Sequence, residues 1–209
     1  MTTPSAADAA ADAAAEHRLQ VRFGRLHSKV PADGDACAAE LAASGRRIVV
    51  VSACLLGEPV RWDGAARNHP RATLPLLADP SVELLPLCPE LLGGMGCPRP
   101  AVHFAHGDGD APDARVVDTA GRDRTAELRA GAVRADALAT LAGASAALLK
   151  ERSPSCGTTA VHGPAGPTAG SGMFAATLRR RGLALATEEC APSAPPVPDD
   201  ASTRGPHAP

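Results

Sequence analysis

A chain of 209 residues is long enough for one domain with a substantial buried core. Its formal charge of −2 gives no general attraction to nucleic acid, which is not expected as a partner; the one basic run, Arg179-Arg180-Arg181, reads as the last turn of a helix. Hydrophobic residues make up 44% but aromatics only 2%, so the core has to come from Val, Leu and Ala, and no apolar run approaches the ~20 residues that span a bilayer.

The start of the chain is Ala-rich and carries Asp8, Asp12 and Glu16, without the basic head and apolar stretch of a secretory signal. The protein is therefore expected to be cytoplasmic. Thiols stay reduced there, so its six cysteines point to metal binding or catalysis before disulfides. Residues 1–45 read as a peripheral N-terminal extension, with a strand-like Val21-Arg22-Phe23 and a helical stretch from Cys37 to Ala43. Residues 46–190 form the domain proper, and 191–209 a Pro-rich polar tail predicted to be disordered.

Within the domain four apolar runs have strand length: Arg47 to Cys54, Val82 to Cys88, Ala146 to Lys150 and Leu183 to Thr187. Near-continuous apolar strands read as buried parallel strands. Helical spacing runs from Arg124 to Ala142, and a last helix from Met173 to Arg181 stops at Gly182. The Gly- and Asp-rich segment His103 to Thr119 reads as a loop with a short strand at Ala114 to Val117. This alternation predicts an α/β fold, a single domain with a small, open, mainly parallel sheet flanked by helices in the Rossmann-like manner.

Ligands of open α/β sheets bind beyond the carboxyl ends of the strands. Cys54 and Cys88 each close a predicted strand, and Cys156 follows the third after a short loop, so parallel strands bring the three thiols to one edge. No C-x-x-C pair occurs, so zinc ribbons, thioredoxin-type motifs and ferredoxin-type runs lack their signature. Three dispersed thiolates suit a soft metal held with one position open, as a catalytic metal requires. Cys37, Cys97 and Cys190 stand outside this arrangement, Cys97 being near enough in sequence to serve as a spare ligand.

Polar residues accompany each cysteine. Arg61 and Asp63 follow Cys54, and Arg61 is read as a substrate-binding cation with Asp63 as a polar or catalytic partner. Glu90 stands two residues beyond Cys88 and is the candidate acid–base; Arg99, further along, is taken as substrate-binding. Ser153 and Ser155 flank Pro154, Ser153 as a catalytic and Ser155 as a substrate-binding candidate, although both could equally be turn formers. His103, His106 and His162 lie in Gly-rich segments and are expected at the surface.

Three blocks, SACLLGEPVRWDG, CPELLGGMGCPRP and LLKERSPSCG, stand in this order. They resemble the 2-thiouracil desulfidase family over about Arg47 to Glu189. Departures from the family pattern are Trp62 for a Tyr, Ala101-Val102-His103 where a carboxylate is common, and a shorter Gly/Pro loop from His162 to Gly172. The resemblance implies a [4Fe–4S] cluster held by Cys54, Cys88 and Cys156, with substrate sulfur at the open iron. The function expected on that basis is non-redox removal of sulfur from a thiolated pyrimidine or similar thiocarbonyl compound, and Glu90 is our choice for the carboxylate that assists water. The expected partner is thus a small thiolated substrate; a homodimer is left open. The alternatives from other classes are a non-catalytic iron–sulfur sensor or sulfur carrier, and a zinc or nucleophilic-cysteine enzyme.

Overall fold

The computed structural model describes residues 45–190. The expected N-terminal extension, apart from residue 45, and the expected tail lie outside the described residues.

The elements run β1 (Arg47–Ser52), a 3₁₀ turn (Ala53–Leu56), α1 (Pro70–Ala78), β2 (Val82–Leu87), α2 (Pro89–Leu92), β3 (Val102–His106), β4 (Arg115–Asp118) and α3 (Thr125–Leu141). They continue with β5 (Ala146–Leu149), β6 (Ala160–Gly163), β7 (Gly166–Ala169), α4 (Met173–Arg180), β8 (Ala184–Thr187) and a closing 3₁₀ turn (Glu188–Cys190). The main sheet has the order β2-β1-β5-β8, and every pairing in it is parallel.

The sheet is central because its strands are apolar on both sides. In β1, Ile48 and Val50 face a core shared with Leu128, Ala132, Ala135 and Ala139 of α3 and with Phe174 and Leu178 of α4. The alternate residues Val49 and Val51 face a second core with Leu55, Leu84 and Ala72 of α1. Successive strand residues point to opposite faces, so one RIVVVS run supplies both layers. Burying each Val contributes about 2 kcal/mol. The predicted α/β architecture holds: β1, β2 and β5 end one or two residues before their expected limits, and β8 starts one residue late and ends at Thr187 as expected.

Two predicted loops contain strands. Val102 to Asp118 form the antiparallel β3–β4 hairpin; its second strand is the one expected at Ala114 to Val117, shifted by one residue, while β3 was not expected. Val102 and Phe104 alternate inward, a period-2 signal masked in the sequence by the polar residues that follow. Residues 162–172 hold the end of β6 and all of β7, paired across a Gly163–Gly166 turn in which Gly166 has φ 113°. Helix α1 was not predicted, because its Pro70 and Pro75 read as breakers; Pro70 sits at the first turn, where proline has no donor to lose.

Helix α2 lies hard against α3. A Cβ at Gly131 would come within 1.9 Å of the Pro89 carbonyl oxygen, and one at Gly93 within 2.1 Å of the Glu127 carbonyl oxygen. Only glycine allows this approach, which fixes the Cys88-Pro89-Glu90 turn on a long helix. Among the described residues, no helix is long and apolar enough to cross a membrane.

Candidate functional site

At the carboxyl edge of the sheet lies a cavity of about 600 Å³, and Cys54, Cys88 and Cys156 all line it. Each thiol is delivered by a different device. Cys54 sits in the 3₁₀ turn just past β1, which ends on a left-handed Gly57. Cys88 follows β2 directly and immediately precedes α2, with its sulfur 3.8 Å from the Val60 carbonyl oxygen. Cys156 stands on the loop after β5, whose Pro154 and Ser155 carbonyls accept the Met173 and Phe174 N–H groups at 2.9 Å each. The otherwise unpaired first donors of α4 thus fasten the cysteine loop.

Burial governs these sulfurs. It pushes the Cys54 thiol up to about 12, with Cys88 nearby adding to the shift. It raises Cys88, with the Glu90 charge acting in the same sense, and raises Cys156 well above the ordinary thiol value. A buried thiolate is costly without a compensating cation, so such thiols stay protonated until a thiophilic metal displaces the protons. Ser52 Oγ accepts the Lys150 N–H at 3.0 Å, joining the ends of β1 and β5, and the Ser52 hydroxyl acts against the burial that raises Cys156.

Glu90 also lines the cavity. Its Oε2 accepts Arg99 Nε at 2.8 Å and Nη2 at 2.6 Å, while Oε1 accepts the Ser155 hydroxyl at 3.2 Å. Arg99 reaches further, donating to the Val60 carbonyl at 3.1 Å and the Gly96 carbonyl at 3.0 Å. Arg61 lines the cavity as well, and donates to both oxygens of Asp63 at 3.2 and 3.0 Å. Ser153 lines it too, while its Oγ accepts the Ser155 and Cys156 N–H groups at 3.2 Å each. Asp63 and Ser155 are not among the lining residues; they touch the cavity only through Arg61 and Glu90. Cys97 is outside the lining also, its thiol directed at the Pro59 and Arg61 carbonyls at 3.1 and 3.2 Å.

Other wall residues had been given no role in the sequence. Trp62 lines the cavity with 47% of its surface exposed, a flat apolar face at the mouth. His103 and His162 line it from the two hairpins, while His106 pairs with Asp113 at the surface. His69 lines it with an Nδ1 that is buried and has no partner among the described residues. Lys150 pairs with Glu188, and Glu151 is buried beside them. The signal for Ser52, Lys150 and Glu151 was their adjacency to strand ends; nothing in the sequence marked His69.

The fold and this wall of thiols agree with what the chain resembles. Residues 49–190 match the model of the 2-thiouracil desulfurase family, and the chain belongs to that family. A solved structure of the [4Fe–4S]-dependent thiouracil desulfidase TudS is similar with a TM-score of 0.60 and 38% identity, over 69% of this chain and 92% of that one. The uncharacterized protein YbbK of Bacillus subtilis (strain 168) is 33% identical over 147 residues, 68% of this chain and 95% of YbbK.

Proposed function

We propose that this chain is a [4Fe–4S]-dependent enzyme that removes sulfur from a thiolated pyrimidine or similar small thiocarbonyl compound without net redox change, acting in the cytoplasm. The observation that carries the reading is that Cys54, Cys88 and Cys156 line one cavity together with the Glu90 carboxylate. Family membership and the likeness to TudS support it.

The donor set suits a cluster. Three thiols, Cys54 and Cys156 buried and Cys88 half-buried, come from three separate segments and share one cavity, a soft all-sulfur donor set of the kind that holds iron–sulfur clusters. Cys54, Cys88 and Cys156 would hold the group. When bound, it supplies a thiophilic Lewis-acidic iron that polarises a C=S bond.

The chain's own residues then handle water, protons and orientation. In the balanced reaction the oxygen of water bonds to the thiocarbonyl carbon, the carbon–sulfur bond breaks, and sulfur leaves as hydrosulfide. Glu90 Oε1 or Oε2 takes the proton that water gives up, and can return it to the ring or the leaving sulfur. Arg99 and Ser155 hold that carboxylate in one orientation. Arg61, aimed by Asp63, meets the polar edge of the ring, and Trp62 offers its face to the ring plane. Ser153 holds the Cys156 turn and presents its hydroxyl proton to the cavity.

The test is anaerobic reconstitution followed by incubation with 2-thiouracil. Release of uracil and hydrosulfide in equal amounts supports the reading. A loaded protein that binds thiouracil but never turns it over would favour a sensor or carrier instead.

A further inference from the structure

Glu151 belongs to the cavity wall, yet its carboxylate is spent on the chain itself. Oε1 accepts Thr159 N–H at 3.0 Å, Thr159 Oγ1 at 3.2 Å and Ala160 N–H at 2.7 Å. Oε2 accepts Thr158 N–H at 3.2 Å and Thr158 Oγ1 at 2.9 Å. The residue is only 3% exposed. All five donors lie just past residues 152–157, the segment that carries Cys156, so Glu151 ties the two ends of that segment together.

The enclosed segment is held taut. Arg152, its first residue, has φ 63°, a left-handed conformation that side-chain-bearing residues rarely adopt. Arg152 N–H donates to the Ala160 carbonyl at 3.1 Å, and the His162 N–H donates to the Arg152 carbonyl at 3.2 Å. On the inner side, a Cβ at Gly157 would meet the Ala160 carbonyl oxygen at 2.1 Å, so the segment closes tightly on β6. Glu151 is tied outward as well, its own N–H donating to Glu188 Oε2 at 2.8 Å.

We infer that Glu151 is a positioning residue, a carboxylate clasp that closes the 152–157 loop and presents the Cys156 sulfur to the cluster. This rests on the reading of Cys156 as a cluster ligand. No proton moves at Glu151 in this role, and it does not touch substrate. It acts on the sulfur only through the backbone of the loop that it closes. Glutamine cannot replace it. The threonine hydroxyls can reverse and accept from an amide nitrogen, but the backbone donors cannot: an amide nitrogen in place of Oε2 faces the Thr158 N–H, and in place of Oε1 it faces the Thr159 and Ala160 N–H groups. Groups that orient a metal ligand from behind commonly alter metal affinity by roughly 10–100-fold when changed.

The test compares wild type, Glu151→Gln, Thr158→Val and Asp118→Asn. Asp118 serves as the control because its buried carboxylate also closes a turn, accepting the Ala120 and Arg122 N–H groups at 2.9 and 3.0 Å, but in the connection from β4 to α3, which carries no cysteine. The first readout needs no cluster: the rate at which a thiol reagent labels Cys156 in metal-free, folded protein, followed by peptide mass spectrometry. Glu151→Gln should speed that labelling roughly tenfold or more and Thr158→Val by less, with Asp118→Asn at the wild-type rate even where its melting temperature falls. The second is the rate at which reconstituted protein loses iron to a chelator, which should follow the same order.

Wild-type labelling in Glu151→Gln, or equal acceleration in Asp118→Asn, would overturn the clasp. So would faster labelling with unchanged iron loss. Should Glu151→Gln fail to fold, the Thr158→Val pair of rates decides, and wild-type values there overturn the inference. A wild-type protein that takes up no iron and sulfide would instead sink the proposed function and leave the labelling comparison standing.

Discussion

Arg99 grips a single oxygen of Glu90 with two nitrogens, Nε at 2.8 Å and Nη2 at 2.6 Å, and both side chains are nearly buried, 6% and 12% exposed. A fork of this kind fixes direction as well as charge. If the Glu90 carboxylate handles the proton of water, Glu90→Gln should lower turnover per intact cluster by roughly a hundredfold or more while iron content stays at the wild-type level. The change also leaves Arg99 without its counter-charge, so a loss of up to about 3–5 kcal/mol of stability is expected, read from denaturant unfolding. Wild-type turnover in a folded, loaded variant would remove Glu90 from the chemistry.

The grip itself can be tested apart from the charge. Arg99→Lys keeps a cation but gives up the two-nitrogen contact and the bonds to the Val60 and Gly96 carbonyls. We predict a loss of roughly tenfold to a hundredfold in kcat with KM changed much less, since the effect is on the aim of Glu90. Steady-state kinetics on anaerobically loaded protein measure it, and a KM effect alone would assign Arg99 to substrate binding.

Trp62 presents an exposed face at the cavity mouth. Stacking of a flat heterocycle on an aromatic ring contributes about 1–3 kcal/mol. Trp62→Ala should therefore raise KM for a thiopyrimidine roughly tenfold or more and leave kcat and iron content nearly intact. An unchanged KM would place the ring elsewhere in the cavity.

Acid should unfold the domain through a few carboxylates. Burial alone would raise Asp118, but the Arg122 and Ala120 N–H groups and the Arg124 and Arg122 side chains outweigh it and hold it at about 2, against an ordinary 3.8. Asp123, held by the Thr125 hydroxyl and N–H and by Arg115, also stands at about 2. A carboxyl depressed in the folded state adds stability that is complete above its unfolded value and lost as pH falls through its folded one. Stability should thus drop between about pH 4 and pH 2, and Asp118→Asn should flatten that slope. Chemical denaturation at several pH values measures it; an unaltered slope would show that Asp118 does not carry the dependence.

Much of this architecture was legible in the residues. The apolar run of β1 announced a strand buried on both faces, and Cys54, Cys88 and Cys156 announced a common edge because each followed a strand. Of the hairpin strands only β4 was legible, as the short strand expected at Ala114 to Val117; strands such as Ala160–Gly163 are too short for their alternation to stand out beside glycine and proline. Nor could the sequence show that Asp63 and Ser155 stand behind Arg61 and Glu90 and not in the cavity wall, since which side chain faces a cavity depends on how separate loops meet. Glu151 stood beside a strand end, but its hydrogen bonds were not legible for a related reason. Its five donors come from residues 158–160, and only the folded loop turns them back onto it.

The most direct measurement is product analysis of anaerobically reconstituted protein with 2-thiouracil, run beside Cys54→Ser, Cys88→Ser and Cys156→Ser. Wild-type protein should bind iron and sulfide and form uracil and hydrosulfide in equal amounts with no added reductant. Each of the three variants should lose most of the iron and all turnover. Full iron loading in any one of them, or a fully loaded wild-type protein that leaves 2-thiouracil and other thiolated pyrimidines untouched, would contradict it.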